Sequence, residues 1–452
     1  MKMHRALSYI ERIATVILLV ATIFLIYAGW SRMRIAGLVE DAISSYNSAE
    51  MTVARERVED ALKHAPTNSA FLVFKGETLS SQGYFKEAEN VMREAYEKGQ
   101  GSSDACVGLA SVLAAQGNIS EAEAIIRNAD TDDARIVKAG IAFSKGNNEE
   151  ARDILFSVDL KNCSFGGVAA YYLLSGSLAV TYGRYEDAID NAIKLVSMLP
   201  KSESLRPLSG GYSRLCAEAQ RLMAAAGVMW LLSAKKDEVD AVFAKVVSLV
   251  DTKAVERYGV AAQWWVNMSY GYFFYLAGAD AFFRAGKYKE AAVNYETAIK
   301  RMRGGKEFEP IRAEFEPVVW QNAAYAAKMQ STVEPSLAEK RQYLNQAADF
   351  YQKVISHKGV TTGLKFDATI LRAIAYFEAG SFRLAEESFL QARTYQERVY
   401  IAELNLAVCY DCMKDYDKAL KWYENVLKYP DLPFKEGVAR RIEQLKGRKE
   451  KK

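Results

Sequence analysis

Residues 279–298 read ADAFFRAGKYKEAAVNYETA, and this stretch decides the fold. Ala279 precedes Gly286 by seven positions, Tyr288 follows the glycine by two, and Ala291 follows the tyrosine by three. Small residues at helical spacing let two helices approach closely, because a larger side chain would push them apart. A glycine between them supplies the left-handed conformation that ends many helices. The stretch therefore predicts two short antiparallel helices joined at Gly286.

The same pattern recurs along the chain. Further copies are centred on Gly83, Gly117, Gly146, Gly183, Gly380 and Lys414, and residues 35–68 fit as a first copy. A separation of 34 residues recurs between consecutive turn positions, from Gly83 to Gly117 and from Gly380 to Lys414. Self-similarity at such a period is typical of a solenoid, in which stacked helix pairs share one continuous core.

These positions resemble the signature of the tetratricopeptide repeat family. The resemblance implies an all-α fold, a right-handed α-solenoid in which the first helix of each pair lines a groove. It also implies that the groove binds peptides or helices of one or more partner proteins. The composition agrees with helices, since half of the residues are hydrophobic and only 8 are proline.

The period fails in two places, and the failures divide the chain. We predict two regular blocks, 35–200 and 272–430, joined by an irregular helical middle at 201–271. A capping helix with a basic tail is expected at 433–452, because terminal repeats need a polar outer face. Glycines and three prolines predict loops within 303–340. In the middle region the spacing predicts longer helices, at Tyr212–Leu232, Asp237–Val250 and Val255–Phe274.

An apolar stretch lies near the N-terminus. Residues 13–30, IATVILLVATIFLIYAGW, contain no charge, and a helix of that length rises about 27 Å, close to the thickness of a bilayer core. We predict a transmembrane helix there, preceded by a short tail at 1–12. A cleaved signal peptide is the alternative, but Ile26-Tyr27-Ala28 is a poor cleavage site.

The charges beside this stretch set its expected direction. Three basic residues and the amino terminus precede it, and two basic residues follow it before Glu40 and Asp41. The positive-inside rule then places the tail in the cytoplasm and the repeats outside. We expect a single-pass protein of a bacterial inner membrane with periplasmic repeats. Five cysteines without a repeated spacing argue against a disulfide framework and so against an oxidising compartment. They favour the alternative, a cytoplasm-facing adaptor or receptor.

Charge and motif content exclude several classes of function. The net charge is +3, and the basic residues concentrate at the two ends, which leaves about −6 for the repeats. No nucleic-acid partner is expected. With three histidines and no phosphate loop or nucleophile motif, we predict no enzyme activity, no metal and no cofactor. Cys409 and Cys412 are interpreted as small buried side chains.

Five residues are candidates for protein binding. By the resemblance, Asn322 and Asn405 lie on first helices, near the sixth position of a repeat unit, where an amide can clamp a peptide backbone. A solvated or locally bonded amide is the alternative. Arg372 is the one obvious basic candidate, too few for the family's clamp on chaperone tails. Trp264 and Trp265 belong to an aromatic run that is either a thicker core or a docking surface.

The leading hypothesis is therefore a membrane-anchored scaffold that binds proteins at the membrane surface and assembles or stabilises an envelope complex. The alternative from another class of function is a ligand-binding protein or enzyme that uses the aromatic middle as a pocket. A closed cavity with converging polar groups would favour that second hypothesis.

Overall fold

The computed structural model describes residues 34, 36–45, 51–198, 211–249, 271–302, 309–430 and 432–449. These residues form helices and short connections, and no β-strand occurs among them. The predicted all-α class is therefore confirmed for the described part of the chain. The described residues divide into two compact units at Ala226 and Gly227.

Unit 1 consists of the described residues up to Ala226, and begins with a helical stretch at 36–45. Its helices are α1 (Met51–His64), α2 (Ser69–Ser81), α3 (Phe85–Lys98), α4 (Ser103–Ala115), α5 (Ile119–Ile126), α6 (Asp132–Ser144), α7 (Asn148–Phe156), α8 (Phe165–Thr181), α9 (Tyr185–Ser197) and the first part of α10 (Gly211–Ser233). A short 3-10 helix, Leu160–Asn162, connects α7 to α8.

Unit 2 consists of the described residues from Gly227 onward. After the end of α10 it contains α11 (Val239–Val247), α12 (Gly271–Arg284), α13 (Tyr288–Met302), α14 (Glu309–Val333), α15 (Leu337–Ser356), α16 (Thr362–Glu378), α17 (Phe382–Thr394), α18 (Val399–Cys412), α19 (Tyr416–Val426) and α20 (Lys435–Lys449).

Seven of the described helix pairs are joined by tight turns in which one residue has a positive φ. The pair α14–α15 is joined by residues 334–336, where every φ is negative. At Gly286 φ is 77°, and the turn is closed by hydrogen bonds from the Gly286 N–H to the Phe283 carbonyl (3.0 Å) and from the Lys287 N–H to the Phe282 carbonyl (2.9 Å). Such bonds satisfy carbonyls at the helix end that would otherwise be unpaired. The predicted turn is confirmed at the other numbered turn positions, with positive φ at Gly83, Gly117, Gly146, Gly183, Gly380 and Lys414. The turn of the first copy, 35–68, lies outside the described residues and stays a prediction.

Small residues lie where helices approach most closely, as predicted. Met92 of α3 is buried between Gly76 of α2 and Gly108 of α4. A Cβ atom added at Gly76 would lie 2.7 Å from the Met92 Cε, and one at Gly108 would lie 2.6 Å from its sulfur. One flexible side chain thus fills the space that the two glycines leave open.

The C-terminal helix α20 packs on the last helix pair. Val438, Ile442 and Leu445 are buried in the core that α16–α19 form. Arg441 donates two hydrogen bonds to the Asp411 carboxylate, at 2.7 Å and 2.8 Å. This bidentate ion pair fixes the orientation of α20 on α18.

The loops predicted within 303–340 are wrong for 309–333, which form the long helix α14. Pro310 is the second residue of that helix, where the absent N–H would have no helical partner anyway. Pro317 lies inside the helix and removes one hydrogen bond there. The loss is offset by burial, because α14 packs a face rich in alanine into the core of unit 2.

In the middle region, α10 and α11 agree with the first two predicted helices to within a few residues. The third predicted helix, Val255–Phe274, lies mostly outside the described residues, and its predicted end is wrong because α12 continues without a break from Gly271 to Arg284. The predicted block limit near 200 also lies outside the described residues, and the predicted blocks stay predictions. The predicted transmembrane helix at 13–30 also lies outside them. The described part of the chain contains no helix with the length and apolar character that crossing a membrane requires.

Candidate functional site

The helix that precedes the turn in each pair is called here the first helix. The first helices of unit 1 are α2, α4, α6 and α8, and each of them contacts the next one. In unit 2 the first helices are α12, α14, α16 and α18. Their surfaces are the candidate sites, because a partner could contact several repeats there at once.

An exposed apolar stripe runs along α14. Phe315, Val318 and Tyr325 are 51%, 49% and 51% exposed, and Asn322 lies among them and is exposed as well. Their separations of three, four and three residues place all four side chains on one side of the helix. These four residues are called the α14 face. Isolated exposed apolar residues are ordinary, but an aligned set on one helix is typical of a binding surface.

The opposite side of α14 is anchored in the core. Trp320 is buried and stacks on Phe350 of α15, with ring centroids 5.4 Å apart. Its indole N–H donates to the buried Glu316 carboxylate at 3.1 Å. Tyr325, at the end of the α14 face, stacks on Phe283 of α12 at 5.5 Å. These contacts hold the exposed side chains on a rigid helix, which reduces the entropy lost when a partner binds.

Asn322 and Asn405 lie on first helices, as the resemblance implies, but in different surroundings. No hydrogen bond engages the Asn322 side chain, so its donors and acceptor face solvent. Asn405 is partly buried on α18, and its amide N–H donates to the Ile401 carbonyl at 2.8 Å. One of the two amides is therefore available to a partner, and the other is bonded within its own helix.

Arg372 of α16 lies inside unit 2 and is only 9% exposed. Its guanidinium donates to the side-chain carbonyls of Gln352 on α15 and Gln391 on α17, at 2.6 Å in the second case. The buried Nε has no hydrogen-bond partner, and burial lowers the pKa of the group. The side chain therefore joins three helices. None of Asn322, Arg372 and Asn405 hydrogen-bonds to another of the three.

Trp264 and Trp265 lie outside the described residues, so their predicted role stays a prediction. The apolar residues of the α14 face, in contrast, were not predicted from the sequence. The prolines at 310 and 317 favoured a loop and hid the helical spacing from Phe315 to Tyr325. The paired alanines at 323–324 and 326–327 were the signal that could have indicated a helix with one buried side.

The two close cysteines differ in exposure. Cys409 is buried, as predicted, but Cys412 is exposed, so the prediction was wrong for that residue. The reason is its place at the last residue of α18, where the chain leaves the core. Burial raises the pKa of the Cys409 thiol to about 11 and also raises the pKa of Cys412. Both thiols are protonated at neutral pH, so neither is an activated nucleophile.

Family models of the tetratricopeptide repeat match residues 79–133 and 370–433, one range in each unit. The chain contains tetratricopeptide repeats. Such repeats are protein-interaction modules, and the chain therefore has the architecture of an interaction scaffold. No curated protein sequence matches the chain.

Several solved structures are similar to this chain. The Cut9–Hcn1 hetero-tetramer of the APC/C is 13% identical, over 92% of this chain and 91% of that one, with a TM-score of 0.27. The human IFIT1 dimer with PPP-AAAA is 16% identical, over 89% and 86%, with a TM-score of 0.30. Yeast Tom70 is 12% identical, over 92% and 96%, with a TM-score of 0.23.

Proposed function

We propose that this protein is a membrane-anchored scaffold whose tetratricopeptide repeats bind segments of partner proteins. The main binding surface in unit 2 is the α14 face. Apolar side chains of the partner pack on Phe315, Val318 and Tyr325. The Asn322 amide pairs with the partner's backbone, because it offers both a donor and an acceptor.

One observation carries this proposal, the exposure of three large apolar side chains around an unbonded amide on a single rigid helix. Exposed apolar surface is unfavourable unless a partner covers it. An amide among apolar residues suits a peptide segment, which brings backbone N–H and C=O groups together with apolar side chains.

The test is proximity labelling of proteins in intact membranes, with wild type compared with the double variant Phe315→Ser/Val318→Ser. We expect the double variant to lose specific partners while its thermal melting stays the same, since both side chains are half exposed. The matched control is Val293→Ser, because Val293 is 52% exposed but lies on α13, a second helix. A partner set that survives the double variant unchanged would refute the role of the α14 face.

The membrane part of the proposal rests on the uncharged stretch at 13–30 and on the charges around it. We propose that this stretch anchors the protein in a bacterial inner membrane and that the repeats lie in the periplasm, where they assemble or stabilise an envelope complex. A cytoplasm-facing adaptor or receptor is the alternative, supported by the free thiols of Cys106, Cys163, Cys409 and Cys412.

Protease protection separates the two orientations. In sealed spheroplasts, the periplasmic orientation predicts that protease added outside digests the repeats. Digestion that begins only after the membrane is permeabilised would support the cytoplasmic alternative.

A further inference from the structure

Within the proposed function, which it presupposes, we infer that unit 1 contains a subsite for a lysine or arginine side chain of a partner protein, with the Glu77 carboxylate as its counter-ion. The subsite is a cavity on the first helices of unit 1, separate from the α14 face. The subsite would select partner segments by the charge of one side chain.

The cavity has a volume of about 200 Å³ and is open to solvent on one side. A single water needs about 10–15 Å³ in the same measure, so there is room for a long side chain. Its wall is formed by α2, α4, α6 and the start of α8, with Met92 of α3 behind them. Four successive first helices thus contribute to one cavity, which is where a bound segment would contact several repeats.

Glu77 is the acid of this cavity that lacks a partner. Its carboxylate forms no hydrogen bond and no ion pair. Burial, with the nearby charges of Asp133 and Asp104, raises the pKa of Glu77 to about 7. No lysine, arginine or histidine is among the residues that line the cavity. A partly buried carboxylate without a counter-charge is unfavourable, and a cation from outside would remove that cost.

Asp133, the other acid of the cavity, is already engaged. Its two carboxylate oxygens accept hydrogen bonds from the Ser164 backbone N–H, at 3.1 Å and 3.3 Å, just before α8 begins. It adds negative potential to the cavity but leaves Glu77 as the group free to pair.

The rest of the wall suits the stem of a long cationic side chain. Val107, Ile136 and Val137 make much of the surface apolar. Lysine and arginine pack their methylene groups along such surfaces and keep the charged end on a polar group. A purely apolar side chain would leave Glu77 unpaired, and an acidic one would add a third like charge. Charge and shape therefore favour a cation on an aliphatic stem.

The test is selection of a displayed library of random nonapeptides on the immobilised full chain in detergent at pH 8. We expect wild type to enrich peptides with lysine or arginine at one fixed position. Glu77→Gln keeps the shape of the side chain and removes its charge, so it should lose that preference. The matched control, Glu94→Gln, changes an exposed glutamate on α3 and should enrich the same peptides as wild type.

A second measurement isolates the ion pair. One enriched peptide is synthesised with its cation and with leucine in that place. The substitution should weaken binding to wild type by about tenfold or more, the usual effect of losing a hydrogen bond between charged groups. It should have little effect on binding to Glu77→Gln.

The outcomes distinguish this inference from the proposed function. Enrichment without a preference for lysine or arginine, the same preference in Glu77→Gln, or no enrichment by wild type would each overturn the subsite. The proposed function would then still be decided by the variants of the α14 face, which lie in unit 2. Loss of partners in those variants together with a failed selection would keep the scaffold and reject the subsite.

Discussion

Two glutamates on first helices differ in whether a neighbouring group pairs with the carboxylate. Glu403 of α18 is almost fully buried, and its carboxylate accepts hydrogen bonds from Arg393 at 3.0 Å and from the Tyr429 hydroxyl at 3.3 Å. Glu77 of α2 has like charges nearby and no partner. A paired buried charge stabilises a particular arrangement of helices, whereas an unpaired one reduces stability until something binds to it.

The raised pKa of Glu77 predicts how the stability of the chain depends on pH. Glu77 has a pKa of about 7 in the folded chain, above the ordinary glutamate value of 4.5. The folded state therefore holds the proton more tightly, and the stability from this group is fully present below the unfolded pKa. It is lost as the pH rises through 7. The negative charges of Asp133 and Asp104 contribute, after burial, to this raised pKa.

Replacement of the carboxyl by an amide should remove that dependence. We expect Glu77→Gln to be about 1–3 kcal/mol more stable than wild type at pH 8, with little difference at pH 5. Urea denaturation followed by circular dichroism at both values measures it. An equal difference at pH 5 and pH 8 would show that the Glu77 charge is compensated in the folded chain.

At the scale of elements, the turn between α18 and α19 differs from the earlier turns because a lysine occupies the position of the glycine. Lys414 has a φ of 62°, in the region that the glycines occupy at the earlier turns. A residue with a Cβ atom is strained there, by about 1–2 kcal/mol. The Lys414 side chain is exposed and forms no ion pair. The sequence already predicted a turn at this position, because the alanines and Tyr416 keep their spacing around it.

Lys414→Gly should therefore stabilise unit 2, by about 0.5–1 kcal/mol once the extra freedom of glycine in the unfolded chain is deducted. The matched control is Lys421→Gly, on the exposed side of α19, which should destabilise by about 1 kcal/mol because glycine weakens a helix interior. Urea denaturation of each variant shows whether the free energy of unfolding rises or falls relative to wild type. Destabilisation by both would mean that Lys414 makes a contact worth more than its backbone strain.

The α14 helix marks the limit of element prediction from this sequence. Local rules treat Pro310 and Pro317 as breakers, and those rules failed because the packing of Trp320 and the paired alanines stabilises the helix through Pro317. Exposure of Phe315 and Val318 depends on where that helix lies against α15. It could not be predicted without the tertiary arrangement.

At the scale of the molecule, the repeat pattern predicted most of the fold. Each turn glycine is required by a left-handed backbone, and each small residue such as Gly76 by the close approach of two helices. These requirements act on single positions, so they can be recognised in the sequence. The candidate sites were harder to predict from the sequence. Asn322 was identified from its position in the repeat, but Glu77 looked like any surface acid, since its cavity is assembled from helices that span 69–181.

The central claim is that partners bind along the first helices. It is tested most directly by photo-crosslinking in intact cells, with p-benzoylphenylalanine placed on a first helix or on a second helix. Val318→p-benzoylphenylalanine on α14 should give discrete protein adducts, and Val293→p-benzoylphenylalanine on α13 should give none, although both positions are about half exposed. Adducts from position 293 with none from position 318 would contradict the account.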